Sequence, residues 1–130
     1  DKEGRERELF FLGEPLIVRI SYLAHHRIER PVFALGIVRS DGLNCCSNNS
    51  KMAGLEVEAI EGQGVVEVEL DEVNIIPGVY RLAVLIWDHE VIRPYVFNMG
   101  HIFRVESDLP NIIDGNYGVF VPRLKWRLLE

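Results

Sequence analysis

Two stretches of this chain alternate apolar and other residues so regularly that they admit one reading. Residues 79–87 place Tyr80, Leu82, Val84 and Ile86 on one parity, and residues 15–24 place Leu16, Val18, Ile20 and Tyr22 on one parity. A period of two puts all four side chains on the same face of an extended strand, so each stretch is a half-buried β-strand. Each also follows a turn signal, Pro77-Gly78 in one case and Gly13-Glu14-Pro15 in the other. Strands of this kind need sheet partners and a second layer to cover them.

The rest of the chain supplies those partners. Residues 9–12 form a first short strand ended by Gly13, and residues 25–30 cross to Pro31 and a strand over 32–39. Ser40-Asp41-Gly42 makes a hairpin turn, because Asp-Gly tolerates the positive φ that such turns demand. A short strand near 43–46 precedes a polar loop at 47–54, and strand residues return at 55–60. Gly62-Gln63-Gly64 then turns the chain into a strand at 64–70. After 79–87 comes a strand at 95–106, a loop at 108–116 rich in Asn and Asp, and a last strand at 117–122. Helical periodicity is nearly absent, and short strands punctuated by Gly, Pro, Asn and Asp indicate an all-β sandwich.

Composition excludes several functions. The 130 residues carry 14 basic and 20 acidic side chains, a formal charge of −6, which disfavours nucleic acid or an anionic membrane surface as a partner. No apolar run approaches the roughly 18 residues that a membrane span needs. Cys45 and Cys46 are the two cysteines; neighbours on a strand point to opposite faces, so they are expected to stay reduced. Residues 1–8, nearly all charged, read as the end of a linker; residues 9–107 are the sandwich, and 108–130 the loop and C-terminal strand.

The order of the turns and strands carries a resemblance. Gly13-Glu14, Tyr22 with Ala24, Ile28 with Pro31, the run Phe33-Ala34-Leu35 with Ile37, Asp41-Gly42, and Asn48-Asn49-Ser50 come first. Gly62 with Gly64, Pro77-Gly78 with Tyr80 through Asp88, and Phe103 with Val105 follow in sequence. Each piece alone is weak; the order, over residues 9–106, is specific. It resembles the C-terminal carbohydrate-binding domain of Wzt-type ABC transporter ATP-binding proteins, which export O-antigen and related polysaccharides. Ala34 stands where that family commonly has Gly, and Ser50 where it commonly has Thr. The resemblance implies an immunoglobulin-like antiparallel β-sandwich and a non-catalytic module that recognises the end of a finished, undecaprenyl-linked polysaccharide. It implies a cytoplasmic position at the inner face of the membrane, next to the transporter's membrane subunit. ATP hydrolysis would lie in an ATPase domain preceding this one, since no phosphate-binding Gly-rich loop with Lys occurs here, and no cofactor is expected. It also implies a homodimer formed by exchange of a C-terminal strand, with Tyr117, Phe120 and Trp126 at the interface.

In an immunoglobulin-like order, strands 32–39, 79–87 and 95–106 share one sheet while 15–24 and 64–70 form the other. Phe33, Leu35, Ile37, Tyr80, Leu82, Val84, Ile86, Phe103 and Val105 then face the core. Ala34, Gly36, Val38, Arg81, Ala83, Leu85, Trp87, Asn98, Gly100, Ile102 and Arg104 face outward. Small residues flanked by Trp87, Asn98, Arg81 and Arg104 make a shallow groove suited to a sugar. The aromatic plate lies against C–H faces, and the amide and guanidinium donate to hydroxyls. Arg81 and Arg104 would also suit a phosphate. The opposite sheet sets Arg19 and Ser21 against Val65, Glu67 and Glu69, a solvated face with cross-strand charge pairs.

Each candidate has a plainer reading. Trp87 would serve as edge packing, Arg81 and Arg104 as solubilising charges, and Asn98 as support for a bulge near Gly100. His25, His26, His89 and His101 lack a metal-ligand spacing, so no metal is expected. Asp88 and Glu90 have nothing that would raise one pKa and fix the pair for glycoside hydrolysis. A structural or protein-interaction sandwich with no glycan ligand is the rival class.

Overall fold

The computed structural model describes residues 7–108 and 118–129. Seven strands follow in order: β1 Leu9–Phe11, β2 Leu16–Glu29, β3 Val32–Arg39, β4 Asn44–Asn49, β5 Ala59–Leu70, β6 Gly78–Trp87 and β7 Pro94–Glu106. They form a five-stranded sheet in the order β1-β7-β6-β3-β4 and a two-stranded sheet of β2 and β5. The division of strands between the layers is the one that the immunoglobulin-like order predicts. No helix occurs among the described residues.

The inner faces follow from parity. Leu16, Val18, Ile20 and Tyr22 oppose Leu70, Val68, Val66 and Gly64 across the smaller sheet. On the larger sheet Tyr80 pairs with Phe103 and Phe33 with Ile86. Two apolar clusters result. One gathers Phe10, Leu16, Ile37, Val73, Ile75, Tyr80, Leu82, Phe103 and Val105. The other gathers Ala24, Phe33, Ile60 and Ile86, with the Tyr22 ring tilted against Phe33 at 5.7 Å. The first is held by aromatics: Tyr80 stacks on Phe103 at 5.7 Å, and Phe10 meets Phe103 edge-on at 6.1 Å. Tyr80 is wholly buried, and its hydroxyl donates to the Ile76 carbonyl four residues upstream. A buried phenol needs such a partner, and the same back-bond closes the tyrosine corner of immunoglobulin-like sandwiches. Burial pushes its pKa up to about 12.

Several expectations change. The larger sheet is mixed rather than purely antiparallel, because β1 runs parallel to β7, with Phe10 beside Val105. The parallel pairing lets the opening segment enter the core at Phe10. Arg7, in the segment expected to be solvated linker, lies over the Phe10 ring at 4.8 Å and bridges Glu14 at 2.8 Å. β4 reaches Asn49, further than the strand expected near 43–46. β2 continues past His25 and His26 to Glu29 across a bulge between Ala24 and Ile28. Opposite that bulge the Gly62-Gly64 segment is no turn. It lies inside the single strand β5, with residues 55–58 irregular, and the φ of +76° at Gly62 takes up the irregularity. The expected hairpin at Asp41-Gly42 is present, with Gly42 at φ +93° and Asp41 bridged twice by Arg39. That guanidinium holds the Asp41 pKa at about 2.

The C-terminal segment departs most. Tyr117 lies outside the described residues. Phe120 forms an isolated bridge with Ile75, flanked by Ile76 N–H to Val119 O (2.7 Å) and Val121 N–H to Asn74 O (2.6 Å). Arg123 reaches Glu72 at 2.6 Å. Residues 121–129 join no ladder, and Trp126 is 91% exposed.

Candidate functional site

The outward face of the five-stranded sheet is built in rows that run across the strands. The middle row is Ser47, Gly36 and Ala83, and β7 answers Ala83 with Met99 and Gly100 together. Towards the β6–β7 hairpin lies the row Asn49, Ala34, Leu85 and Phe97, and beyond it Trp87 opposite Val32 and Pro94. On the other side lies the row Asn44, Val38, Arg81 and Ile102, then Val79, Arg104 and Leu9. Three inter-strand spacings separate β4 from β7, about 14 Å. Gly36 and Ala83 form the floor; a Cβ on Gly36 would meet the Ala83 Cβ at 3.4 Å, so the floor is already close-packed. The sheet therefore offers a flat, low centre with taller side chains at both ends.

Six of the seven sugar-binding candidates share this face: Trp87, Arg81, Arg104, Ala34, Gly36 and Ala83. Asn98 does not. Leu82 pairs with His101 but Val84 pairs with Asn98, so β7 carries one extra residue between them. The bulge reverses parity, turning Asn98 and Val96 towards the interior and Phe97 outward. Asn98 Oδ1 accepts the Gly100 N–H at 2.8 Å, which is the bulge-supporting role given above as its plainer reading. A second bulge at Tyr95 restores Pro94 to a position opposite Trp87. Phe97, 56% exposed, is thus an aromatic of this face that alternation alone misassigns. The cue in the sequence was Gly100, since an isolated Gly in a strand pattern marks a bulge.

β4 adds polar groups that the sequence reading left in a loop. Asn49 Oδ1 accepts the Met52 N–H at 2.8 Å, so its amide NH2 remains a donor. Ser50 Oγ accepts the Phe33 N–H at 3.0 Å, and Asn44 and Ser47 bond each other. The turn after β4 is tied to the β6–β7 hairpin by Lys51 Nζ donating to the His89 carbonyl at 3.0 Å. Within that hairpin Asp88 Oδ1 accepts the Ile92 N–H at 2.8 Å, and this bond holds the Asp88 carboxyl below its usual pKa. A depressed, hairpin-capping carboxylate is the opposite of a general acid. Burial raises the Cys46 thiol, which makes it a poor nucleophile.

Charge divides the two outer faces. The rows from Asn49 to Ile102 hold no carboxylate. The acidic residue of this face, Glu106, sits at its β1 end opposite Phe11. On the smaller sheet Arg19 meets Glu67 at 3.0 Å, the cross-strand pair expected there. The histidines are scattered, and no cluster of metal-ligating side chains occurs among the described residues. A cavity of about 670 Å³ lies elsewhere. It opens between the layers where β2 fails to cover β7, lined by Tyr22, Val84, Val96, Asn98 and His101 among others. Its walls are the inner faces of the sandwich, so it is an incompletely covered core.

By architecture this is an immunoglobulin-like β-sandwich with one sheet surface left open, carboxylate-poor and partly aromatic. The chain belongs to the Wzt C-terminal domain family, which matches residues 1–119. That family has its setting in ABC transporters for polysaccharide export. A solved structure, "Crystal structure of the C-terminal domain of wzt", superposes with a TM-score of 0.78 at 16% identity, over 92% of this chain and 72% of that one. Similarity at that identity concerns the fold. No curated protein matches. No helix among the described residues is long and apolar enough to cross a membrane.

Proposed function

We propose that this domain is a non-catalytic carbohydrate-binding module that recognises the end of a bacterial cell-surface polysaccharide of O-antigen type. It thereby selects that polysaccharide for export by an ABC transporter. The observation that carries the reading is the outward face of the five-stranded sheet. A close-packed floor of Gly36, Ala83 and Ala34 is bordered by Trp87 and Phe97, with Asn49 and Arg81 as donors. A sugar offers C–H faces and hydroxyls together, and this surface supplies an apolar or aromatic counterpart and hydrogen-bond donors within one reach. Family membership supports the setting: a cytoplasmic domain beside the transporter's membrane subunit, with an undecaprenyl-linked glycan as ligand and no cofactor of its own. The test is intrinsic tryptophan fluorescence and calorimetry with surface polysaccharide from the source organism. Saturable binding that Phe97→Ala and Trp87→Ala weaken supports the reading; no binding by either method overturns it.

The homodimer belongs to the same proposal. Leu124, Trp126 and Leu128 alternate in sequence with Arg123, Lys125 and Arg127, and all three apolar side chains lie in water. Among the described residues, both strands of the smaller sheet have a free edge. A second copy offers such an edge to this segment, and two-fold symmetry lets both copies dock at once. Light scattering of the full chain and of a chain ending at residue 117 tests it. A full chain that stays monomeric at micromolar concentration refutes the exchange.

A further inference from the structure

We infer that the free edge of β5 is the dock for residues 124–128, in a register that sets Lys125 against Glu69 and Arg127 against Glu67. That dock presupposes the pairing of this segment with a strand edge, proposed above, and decides between β2 and β5.

The chain already leads the segment to this edge. Val73, just beyond β5, bonds Gly13 and Glu14 through both of its backbone groups, on the β2 side. Asn74 and Ile76 bond Val121 and Val119 instead. Adjacent residues of an extended chain direct these groups to opposite sides, so residues 119–121 lie on the side away from β2, in line with the free edge of β5. The bridge between Ile75 and Phe120 is antiparallel, and a segment continued in that sense runs back along β5 from Leu70 towards Val66. Pro122 does not obstruct it, because residues of its parity turn their backbone away from β5 and no donor is missed there. Arg123 follows, and its guanidinium is already on Glu72 at 2.6 Å.

The side chains fix the register. Leu70 and Val73 both pack on the first apolar cluster although they are three residues apart, so one extra residue lies between them. Counting from Phe120 opposite Ile75 puts Pro122 opposite Val73 and, past the extra residue, Leu124 opposite Leu70. Trp126 then meets Val68 and Leu128 meets Val66, the half-buried positions of β5, while Lys125 and Arg127 meet the exposed Glu69 and Glu67. Every cross-strand pair is then apolar with apolar or base with acid, at the roughly 4.5–5.5 Å that separates opposed Cβ atoms. A slip of one residue would set Trp126 beside a carboxylate and turn both bases inward.

Charge separates the two edges. Residues 55–72 hold seven carboxylates and no basic side chain, and residues 123–129 hold three basic side chains and no acidic one. On β2 the outward residue level with Glu67 is Arg19, a like charge for this segment and already bonded to Glu67. Among the described residues no strand pairs with the second edge of β5, which leaves its backbone groups open to an added strand.

The experiment uses the full chain and follows chymotrypsin cleavage after Trp126, a bond that a docked strand withholds from a protease. A peptide of residues 118–130 gives the undocked rate, circular dichroism verifies folding, and light scattering gives the mass of each variant. The parent is expected to be cut at least about tenfold more slowly than the peptide. Glu67→Lys/Glu69→Lys and, separately, Lys125→Glu/Arg127→Glu set like charges opposite each other, and each is expected to raise the parent's rate about fivefold. All four substitutions together are expected to restore the parent's rate. Glu61→Lys/Glu90→Lys makes the same change in net charge beyond the segment's reach and is expected to leave the rate unchanged. A parent cut as fast as the peptide overturns the dock and the exchange together. A protected dimer that neither charge reversal affects overturns the β5 dock and leaves the exchange standing, with β2 as the receiving edge. A protected monomer in which the four substitutions rescue protection supports the β5 dock and overturns the exchange, since residues 124–128 then lie on their own chain.

Discussion

The two outward faces of this sandwich are made from similar strands and end as opposite surfaces. On the smaller sheet, Glu61, Glu67 and Glu69 of β5 project to solvent, and Arg19 answers Glu67 across the ladder. Such a face is solvated and acidic, with one of these carboxylates paired. On the larger sheet the corresponding positions are Ala34, Gly36, Ala83 and Leu85, with Trp87 and Phe97 at one end and Arg81 and Arg104 at the other. Nothing in the strand geometry forces that difference, since either face would remain soluble with charged residues. Phe97, 56% exposed, leaves an aromatic ring in water on the larger sheet, where the smaller sheet presents Glu67 and Arg19.

The sharpest way to separate surface from support is to alter the layer behind the open face. Phe103→Ala removes a ring that touches both Phe10 and Tyr80, and is expected to cost about 3–5 kcal/mol of stability in denaturant titrations. Unchanged stability would mean that the cluster is not the domain's main core. Alkali probes the same cluster. Tyr80 has its folded pKa raised from 10.0 to about 12, so the neutral phenol is favoured by folding. Its contribution is complete below pH 10 and is lost as pH climbs through 12, on the order of 2 kcal/mol. Ultraviolet titration should show one tyrosine ionising late and together with unfolding, and Tyr80→Phe should abolish that late step.

Changes on the open face should do the reverse. Trp87→Ala and Phe97→Ala are expected to leave unfolding midpoints nearly unmoved and to weaken glycan binding by about 1–3 kcal/mol each, as loss of a stacking aromatic does elsewhere. If Phe97→Ala binds normally while Trp87→Ala does not, the ligand stays near the hairpin end. The smallest effect is expected on the opposite sheet. Arg19→Ala breaks an exposed pair and should change stability by no more than about 0.5 kcal/mol, with glycan affinity unchanged. A loss of binding there would overturn the contrast between the faces.

Much of this was legible from alternation. Tyr80, Leu82, Val84 and Ile86 face inward as their parity requires, as do Leu16, Val18, Ile20 and Tyr22, and the division of β2 and β5 from β3, β6 and β7 is that of the immunoglobulin-like order. Parity fails where residues are inserted. Between Asn98 and His101 nothing in the hydrophobic pattern says which residue is the extra one, so unbroken alternation puts Asn98 outward and Phe97 inward, the reverse of the structure. Gly62 and Gly64 misled for a related reason. A positive φ marks a break in regular pairing, and both a turn and a bulge satisfy it. The parallel partnership of β1 with β7 was hidden because a three-residue strand carries too little pattern to reveal its direction. The β4 donors escaped notice because Asn and Ser on an edge strand read as a loop.

The extra residue in β7 has a consequence for how such a surface can change. Closing the bulge by register, with Gly100 paired to Ala83 and no residue removed, would shift every residue from Met99 back to the next bulge by one place. Phe97 would turn into the interior and Asn98 would come out beside Leu85. The hairpin half of the face would then offer an amide where it now offers a ring, with no side chain replaced and the Arg81–Arg104 half untouched. Register, as much as residue identity, is therefore a variable by which this scaffold can exchange one chemical vocabulary for another.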